Sequence, residues 1–284
     1  MEIINRKQRM FSISRKLRRE SKTVGFVATM GSLHDGHVSL VKEARQRSDV
    51  VIVSIFVNPK QFNDDGDLQA YPRDLTRDAA LLAEYEVDYL FAPEAEEIYP
   101  KGFSTYVEVE GLSGDFEGAS RPGHFRGVST IVTILLNTIR PDFAFFGQKD
   151  AQQLAIIKRL TLDIGFETEI VTVPTLREDS GLAMSSRNQL LSEDDRQKAA
   201  IIIQALREAK TAFKKGERNA SDLAQIVSKR VEDEPSARLD YVAIVDRESF
   251  RPIEKVGENE ALIVTAVFIG NIRLIDNVIL NRKQ

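Results

Sequence analysis

The stretch VGFVATMGSLHDGHVSL, residues 24–40, predicts the turn from a buried strand to a helix on which the fold is built. It begins with an apolar run, passes through glycine and polar residues, and contains His34 and His37, two of only three histidines in the chain. Where a strand turns into a helix, backbone N–H groups and the helix dipole attract anions, phosphate above all. Two histidines three residues apart on the first helical turn share one face, so both are able to donate to one phosphate group. The alternative is a polar turn that Asp35 caps.

Four further apolar runs continue the pattern up to about residue 173: DVVIVSIFVN, VDYLFAP, DFAFFG and TEIVTVP. Helix-length segments separate these runs. Continuous apolar runs that alternate with helical patterns are typical of a parallel sheet covered on both faces. We therefore predict an α/β fold with a doubly wound, Rossmann-like parallel sheet. Ligands bind such sheets beyond the carboxyl ends of the strands, which is where the histidine turn lies.

The last third of the chain has a different pattern. Ser192, followed by three acidic residues, resembles an N-cap and predicts a long helix to about Lys215, and a second helix is predicted over 221–233. The run LDYVAIVD and a hairpin that turns at Gly270-Asn271 complete a smaller C-terminal α+β domain. We therefore expect two domains, residues 1–176 and 177–284.

Composition and charge narrow the classes of function. A net charge of −4 gives no basic field over the whole chain, which argues against nucleic acid as the main partner. The absence of cysteine excludes disulfides, thiol nucleophiles and thiolate metal sites, and it fits a cytoplasmic protein. The richest apolar segment, 261–280, contains Arg273 and Asp276, so neither a membrane span nor a membrane partner is expected. The basic N-terminus, with apolar residues at helical spacing, predicts a first helix with a solvated basic face rather than an RNA-binding arm.

Two later segments carry side chains suited to phosphate chemistry. FFGQKDAQQ, residues 145–153, combines Gly147, which permits close backbone approach, with the cation of Lys149 and the carboxylate of Asp150. MSSRNQ, residues 184–189, places two hydroxyls and an arginine in a polar loop of the kind that closes over a triphosphate. Taken alone, the first segment is a weak signal, because Gly-x-Lys-Asp is an ordinary turn, and the second is better explained by a surface loop with a helix cap.

The two histidines also permit a metal site. Zinc needs at least a third protein ligand, and only His124 remains among the histidines, so such a site would require His124 or a carboxylate. We favour phosphate over zinc for this reason.

Six segments, taken in order, resemble one enzyme family. They are TMGSLHDGH, SIFVNPKQF, YPRD, RPGHFRGVSTIV, FGQKDAQQ and LAMSSRN, and they cover the chain from about residue 24 to 190. Paired histidines after the first strand, followed by a basic, hydroxyl-rich loop, resemble the HxGH nucleotidyltransferase superfamily that includes class I aminoacyl-tRNA synthetases. Within that group the segments resemble the pantoate–β-alanine ligases, or pantothenate synthetases. Ala28, Ile134 and Leu136 depart from the residues common in that family.

The resemblance implies a reaction and its partners. The implied reaction is the ATP-dependent condensation of pantoate with β-alanine through a pantoyl adenylate, with release of pyrophosphate and AMP. The implied enzyme uses Mg²⁺ with its ATP and is a homodimer. Its first domain binds ATP and pantoate, and its second domain carries a lid over the active site.

The resemblance also implies roles for individual residues. It gives His37 as the catalytic proton donor and His34 as its partner on the phosphates. It gives Gln61 and Gln153 as pantoate-binding residues, and Gln61 as the β-alanine-binding residue as well. The implied ATP site consists of Met30, Gly31, Ser32, Leu33, His34, Asp35, Gly36, His37, Gly147, Gln148, Lys149, Asp150, Leu176, Met184, Ser185, Ser186 and Arg187.

Two other functions use the same motifs. A nucleotidyltransferase that acts on a phosphorylated small molecule would share the histidine motif, but it would need a basic pocket for the second phosphate. The uncharged glutamine pair argues against that pocket. A non-catalytic module that binds nucleotide or RNA would use the basic N-terminal helix, and its activity would survive loss of His37.

Overall fold

The contacts within the chain divide it into two compact units. The computed structural model describes residues 1–63 and 65–281. Unit 1 comprises Met1–Gly147 and Ile156–Val173, and unit 2 comprises Gln148–Ala155 and Pro174–Gln284. The predicted division into domains at residues 176 and 177, with the function assigned to each domain, stays a prediction.

Unit 1 contains a six-stranded sheet in the order β1-β4-β3-β2-β5-β6. Every described pair of neighbouring strands is parallel, as a doubly wound sheet requires. The predicted α/β fold with a parallel sheet is therefore confirmed. The strands are β1 (Glu2–Ile4), β2 (Val24–Thr29), β3 (Val50–Ile55), β4 (Tyr89–Phe91), β5 (Phe143–Gly147) and β6 (Glu169–Val173). Strand β1 was not expected from the sequence, because three residues at the edge of a sheet are too short to show a pattern.

Burial explains why the central strands of unit 1, β2 and β3, consist mainly of apolar residues. Successive side chains of a strand point to opposite faces of its sheet. Phe26 and Val27 are successive residues of β2, and both are fully buried. Val51 and Ile52 of β3 show the same pattern. Both faces of the sheet are therefore covered at its centre.

Helices connect the strands of the sheet. They are α1 (Lys7–Arg19), α2 (Asp35–Arg47), α3 (Asp65–Ala70), α4 (Leu75–Glu84), α5 (Ala95–Ile98), α6 (Glu117–Ser120), α7 (His124–Ile139) and α8 (Ala151–Ile164). A short 3₁₀ turn, Pro59–Gln61, follows β3. The predicted N-terminal helix is confirmed as α1, whose apolar residues Met10, Ile13 and Leu17 are buried. In the ranges that the structure describes, no helix is long and apolar enough to cross a membrane.

Unit 2 contains a three-stranded antiparallel sheet with helices packed against it. Its strands are β7 (Ala237–Asp246), β8 (Ala261–Ile269) and β9 (Ile272–Leu280), and its helices after α8 are α9 (Glu193–Lys198), α10 (Ile201–Lys214) and α11 (Ala220–Glu232). A 3₁₀ turn, Ser186–Leu190, precedes α9. The predicted hairpin is confirmed, since β8 and β9 are joined at Gly270-Asn271. Its apolar core includes Ile202, Leu206, Leu223, Val227 and Ile263.

The long helix predicted from Ser192 to Lys215 is wrong in one respect, because two helices occupy that range. The predicted cap is correct: the Ser192 hydroxyl accepts a hydrogen bond from the Asp195 N–H at 3.1 Å. The break lies at Ala199 and Ala200, whose ψ angles are −19° and −16°. Here the backbone makes i to i−3 hydrogen bonds, which tighten the helix into a 3₁₀ turn. Neither glycine nor proline marks this turn, so the sequence pattern gave no sign of it.

Helix α7 lies directly against the 3₁₀ turn that follows β3, and Gly127 is the point of contact. A Cβ atom at Gly127 would lie 2.3 Å from the carbonyl oxygen of Lys60 and 2.7 Å from the backbone nitrogen of Gln61. Both atoms belong to the backbone, so they cannot rotate out of the way. The absence of a side chain at Gly127 therefore sets the position of the 3₁₀ turn.

We expect Gly127→Ala to lower the free energy of unfolding by about 1 kcal/mol or more, because overpacking outweighs the better helix propensity of alanine. Urea denaturation measures this change. Gly114→Ala is the matched control, since no described atom lies within 4 Å of its added Cβ. Equal stability of the two variants would contradict the proposed contact.

Candidate active site

The turn after β2 has a backbone conformation that requires glycine. Gly31 has a φ angle of +84°, in the left-handed region, and Ser32 follows with a φ of +52°. A Cβ atom at Gly31 would also lie 3.1 Å from the Oδ2 atom of Asp78 and 3.2 Å from a methyl group of Ile55. Conformation and space thus both select glycine, and the chain turns sharply before α2.

The buried carboxylate of Asp78, on α4, anchors this turn. Its side chain is only 1% exposed, and its Oδ1 atom accepts a hydrogen bond from the Leu33 N–H at 3.0 Å. An Nη2 hydrogen of Arg77 is donated to the Leu33 carbonyl at 3.3 Å. The Leu33 side chain is fully buried in the core of unit 1. Leu33 is therefore held through its N–H, its carbonyl and its side chain, directly before the first histidine.

The two histidines form interlocking caps at the start of α2. The Nδ1 atom of His34 accepts from the Gly36 N–H at 3.1 Å, and the Nδ1 atom of His37 accepts from the His34 N–H at 3.4 Å. The ring centroids are 4.1 Å apart. A neutral ring whose Nδ1 accepts carries its hydrogen at Nε2, so the network assigns this tautomer to both histidines. The Nε2–H group is a donor of the kind that a phosphate oxygen accepts.

The alternative of a cap formed by Asp35 is wrong. His34 occupies the cap position, with extended φ and ψ angles of −140° and 174°, and Asp35 is the first residue of the helix. A capping side chain must precede the first helical residue, which Asp35 does not. Its carboxylate instead adds negative charge to the first turn, where the helix dipole favours it.

The amide of Gln61 is oriented by two contacts within unit 1. Its Nε2 atom donates to the Sδ atom of Met30 at 2.8 Å, and its Oε1 atom accepts from the Nδ2 atom of Asn58 at 3.1 Å. Asn58 Nδ2 also donates to the Gly127 carbonyl at 3.1 Å. A glutamine amide has two donor hydrogens and two acceptor positions. These contacts use one of each and fix which end of the amide faces which way.

Two residues that were not expected from the sequence support Gln61. The Tyr99 hydroxyl donates to the Oδ1 atom of Asn58 at 2.7 Å. Burial, reinforced by the neighbouring Tyr106, raises the pKa of Tyr99, so the phenol stays protonated and remains a donor. Asn58 lies in the segment SIFVNPKQF, so the family resemblance offered a signal for it, whereas Tyr99 lies in none of the six segments.

The third histidine, His124, also serves Gln61. Its Nδ1 atom is 2.9 Å from the Gln61 carbonyl oxygen, and its Nε2 atom is 3.2 Å from an Nη atom of Arg121. Over residues 1–63 and 65–281, no group of three or more histidine, cysteine, aspartate or glutamate side chains is placed to hold a metal ion. His124, the histidine that a zinc site would have required beside His34 and His37, instead contacts Gln61 and Arg121.

The segment after β5 supplies a cation to unit 2. Gly147 ends β5 in unit 1, and Gln148, Lys149 and Asp150 follow it in unit 2. The side chain of Lys149 is 19% exposed, and its Nζ atom lies 3.3 Å from the Oδ1 atom of Asp150. Gln153 lies in the first turn of α8 and is half-buried. The lysine side chain is thus mostly buried.

A short hairpin brings two of the predicted ATP-site residues together. The Met184 N–H donates to the Leu176 carbonyl at 3.0 Å, and the Glu178 N–H donates to the Leu182 carbonyl at 2.9 Å. The chain turns at Gly181, which has a φ angle of +90°. The hairpin leads directly into residues 185–190. This segment is called the serine loop below.

The serine loop and Lys149 line one cleft within unit 2. Ser185 caps the 3₁₀ turn Ser186–Leu190, since its hydroxyl accepts from the Arg187 N–H at 3.3 Å. Arg187, in this loop, is exposed. The cleft is lined by Lys149, Ser185, Arg187, Asn188 and residues of β9. A lysine, a hydroxyl and an arginine around one cleft are suited to an anionic ligand.

Glu178 holds the serine loop in place. Its Oε1 atom accepts from the Asn188 Nδ2 atom at 2.7 Å, and its Oε2 atom accepts from the Arg196 Nε atom at 2.8 Å. The same Asn188 nitrogen donates to the Ala183 carbonyl at 3.1 Å. Burial alone would raise the pKa of Glu178, but the hydrogen bonds from Arg196 and Asn188 hold it below its ordinary value.

A carboxylate with a lowered pKa stabilises the folded state above its ordinary pKa, here 4.5, and loses that contribution as the pH falls through the folded value. We therefore expect Glu178→Gln to lower the free energy of unfolding at pH 7 by about 1.5 kcal/mol. The difference from the wild type should shrink as the pH falls below 4.5, in urea denaturation at a series of pH values.

Glu232→Gln, at an exposed position on α11, removes the same charge and is the control, with little effect expected at either pH. A Glu178→Gln effect that does not change with pH would show that the charge of Glu178 is not what stabilises the loop.

Comparison with known proteins places these features in one family. A family model described as pantoate-beta-alanine ligase matches residues 2–279. Pantothenate synthetase from Heliobacterium modesticaldum is 50% identical over 279 residues, which cover 98% of this chain and 99% of that protein. The corresponding enzyme from Carboxydothermus hydrogenoformans is 52% identical over 264 residues, covering 93% of each.

Solved structures agree with the sequence relatives. The crystal structure of pantothenate synthetase from Thermus thermophilus has a TM-score of 0.91 at 43% identity and covers 99% of this chain and 100% of that one. Pantoate-beta-alanine ligase from Francisella tularensis, complexed with beta-gamma ATP and β-alanine, has a TM-score of 0.79 at 38% identity and covers 98% and 97%. The chain belongs to the pantoate–β-alanine ligase family.

Proposed function

We propose that the chain condenses pantoate with β-alanine at the expense of ATP, through an enzyme-bound pantoyl adenylate, and releases pyrophosphate and AMP. One observation carries this proposal from the structure. Two histidine rings, 4.1 Å apart, each with an Nδ1 atom that accepts from a backbone N–H, stand at the N-terminus of α2 after a parallel strand. The family match over residues 2–279 supplies the substrates.

In the first step a carboxylate oxygen of pantoate attacks the α-phosphorus of ATP, and the bond from that phosphorus to the bridging oxygen breaks. No protein nucleophile takes part, so the protein must align the reactants and stabilise charge. His37 serves as the proton donor to the phosphates, and His34 binds beside it. The other residues of the turn bind the same nucleotide through their backbone groups; they are Met30, Gly31, Ser32, Leu33, Asp35 and Gly36.

Negative charge develops on the departing pyrophosphate. This charge is stabilised by Lys149, Ser185, Ser186 and Arg187. Three of these four residues line the cleft in unit 2. The remaining nucleotide-binding residues are Gly147, Gln148, Asp150, Leu176 and Met184. The serine loop acts as a lid over the bound triphosphate, and the exposed position of Arg187 makes its guanidinium accessible to the phosphates.

In the second step the amine of β-alanine attacks the pantoyl carbonyl carbon, the bond to the AMP oxygen breaks, and the amine gives up its proton. Gln61 binds pantoate and β-alanine, and Gln153 binds pantoate. An amide donates to carboxylate and accepts from hydroxyl without adding charge, so it leaves the pantoate carboxylate nucleophilic. The contacts to Met30 and Asn58 leave Gln61 with one donor and one acceptor position for this task.

Mg²⁺ accompanies ATP as the metal–nucleotide complex in this proposal. Mg²⁺ is usually held by phosphate oxygens, water and one or two carboxylates. The proposal also includes a cytoplasmic location, which suits a chain without cysteine, and a homodimer, as the family resemblance implies.

We expect His37→Ala to slow AMP formation about 10²- to 10³-fold, the usual cost of removing one donor from a developing charge, without loss of folding. The measurement is AMP released per active site, with ATP, pantoate and β-alanine present. Lys42→Ala removes an exposed cation from the same helix and is the control, which should keep wild-type activity.

The same assay, run with single omissions, tests the substrates. Steady AMP formation should require both pantoate and β-alanine. Wild-type turnover that proceeds without pantoate, or a His37→Ala variant as active as Lys42→Ala, would overturn the proposed function.

A further inference from the structure

One asparagine of β9 is bonded to the segment that carries Lys149. The Nδ2 atom of Asn277 donates to the carbonyl oxygens of Gln148 at 2.9 Å and of Lys149 at 3.0 Å. Its Oδ1 atom accepts from the Nε2 atom of Gln148 at 3.0 Å. Asn277 is 4% exposed, so water does not compete for these bonds. One side chain thus makes three hydrogen bonds to two successive residues.

These bonds fix the orientation of both amides. Two carbonyl oxygens face the Asn277 nitrogen, so turning its amide over would place oxygen against oxygen. The Gln148 amide must then present its nitrogen to Asn277. Its Oε1 atom is buried and has no hydrogen-bond partner within the part of the chain that the structure describes. A buried acceptor without a donor is costly, so the bonds to Asn277 must outweigh this cost for Gln148 to keep the observed orientation.

Asn277 is itself held rigidly. It pairs with Val264 in the β8–β9 ladder. Its own N–H donates to the Oδ1 atom of Asp276 at 2.8 Å. Asp276, which is 4% exposed, makes a two-pronged ion pair with Arg177, at 2.7 and 3.0 Å. A group on a strand, beside a partly buried bidentate pair, positions its partners more precisely than a group on a loop.

We propose that Asn277 is a positioning residue for Lys149. It fixes the backbone at Gln148 and Lys149, and thereby directs the lysine ammonium into the cleft that the serine loop also lines. This inference rests on the proposed function, in which Lys149 stabilises the departing pyrophosphate. Asn277 touches neither substrate in this role and acts only through the segment that it holds.

A double-mutant cycle separates positioning from general stability. The four proteins are the wild type, Asn277→Ala, Lys149→Ala and the double variant, and the measurement is the single-turnover rate of pyrophosphate release with ATP and pantoate. We expect Asn277→Ala to lower that rate about tenfold or more, since small misplacement of a catalytic group is costly. In the Lys149→Ala background the same change should lower it less than about twofold. Equal effects in the two backgrounds would overturn the inference.

Asn219→Ala is the matched control. Asn219 caps α11 in the same unit, with its Oδ1 atom accepting from the Ser221 N–H at 2.9 Å. Removing it should destabilise the fold and leave the single-turnover rate unchanged. Should Asn277→Ala fail to fold, Asn277→Ser replaces it in the cycle, because serine keeps a hydroxyl near the two carbonyls. A rate loss for Asn219→Ala as large as that for Asn277→Ala would mean that loss of stability, and not position, slows the reaction.

ATP binding by calorimetry distinguishes failure of this inference from failure of the proposed function. If the wild type binds ATP but releases no pyrophosphate with pantoate, the proposed function is wrong. The inference is then tested by the same double-mutant cycle, with the affinity for ATP as the measured quantity. The affinity loss from Asn277→Ala should then appear only when Lys149 is present. If the wild type is active and Asn277→Ala matches it in rate and affinity, the proposed function stands and the inference fails.

Discussion

The hydrogen bond from the Leu33 N–H to the buried carboxylate of Asp78 is the interaction on which the histidine turn depends. A buried carboxylate is stable only with partners, and a buried N–H group is costly without an acceptor, so each satisfies the other. Leu33 immediately precedes His34, the cap of α2. The bond therefore sets where the helix begins, and with it the position of both histidine rings. Cap bonds then assign the ring hydrogens to Nε2.

The same physical principle recurs wherever the candidate active site uses a loop. Many of the predicted site residues lie on turns, and polar groups on neighbouring elements of the same unit hold those turns. Asn58 orients Gln61 in unit 1, and Glu178 and Asn277 hold the serine loop and the Lys149 segment in unit 2. Loops carry function when a rigid scaffold positions them. Here the scaffold acts through hydrogen bonds to backbone as much as through apolar packing.

Local patterns in the sequence predicted the elements but not these supports. Five strands of the parallel sheet follow from apolar runs, and the histidine turn follows from a motif, because both signals lie within a few neighbouring residues. The supports join residues distant in the chain: Leu33 and Asp78 are 45 positions apart, and Gln148 and Asn277 are 129 apart. No single-sequence pattern records such a pairing. The sequence patterns also failed to predict the 3₁₀ turn at Ala199 and the short strand β1, but for the opposite reason. Each of these features is too short and too ordinary in composition to be distinctive.

Transfer of oxygen from pantoate to AMP tests the central claim most directly. Pantoate labelled with ¹⁸O in its carboxylate is incubated with the enzyme, ATP, Mg²⁺ and β-alanine, and the AMP is analysed by mass spectrometry. Attack of the carboxylate on the α-phosphorus, followed by attack of the amine on the pantoyl carbonyl, predicts one ¹⁸O atom in each AMP formed. Unlabelled AMP, or label found in inorganic phosphate with ADP as the nucleotide product, would contradict the adenylate and the account built on it.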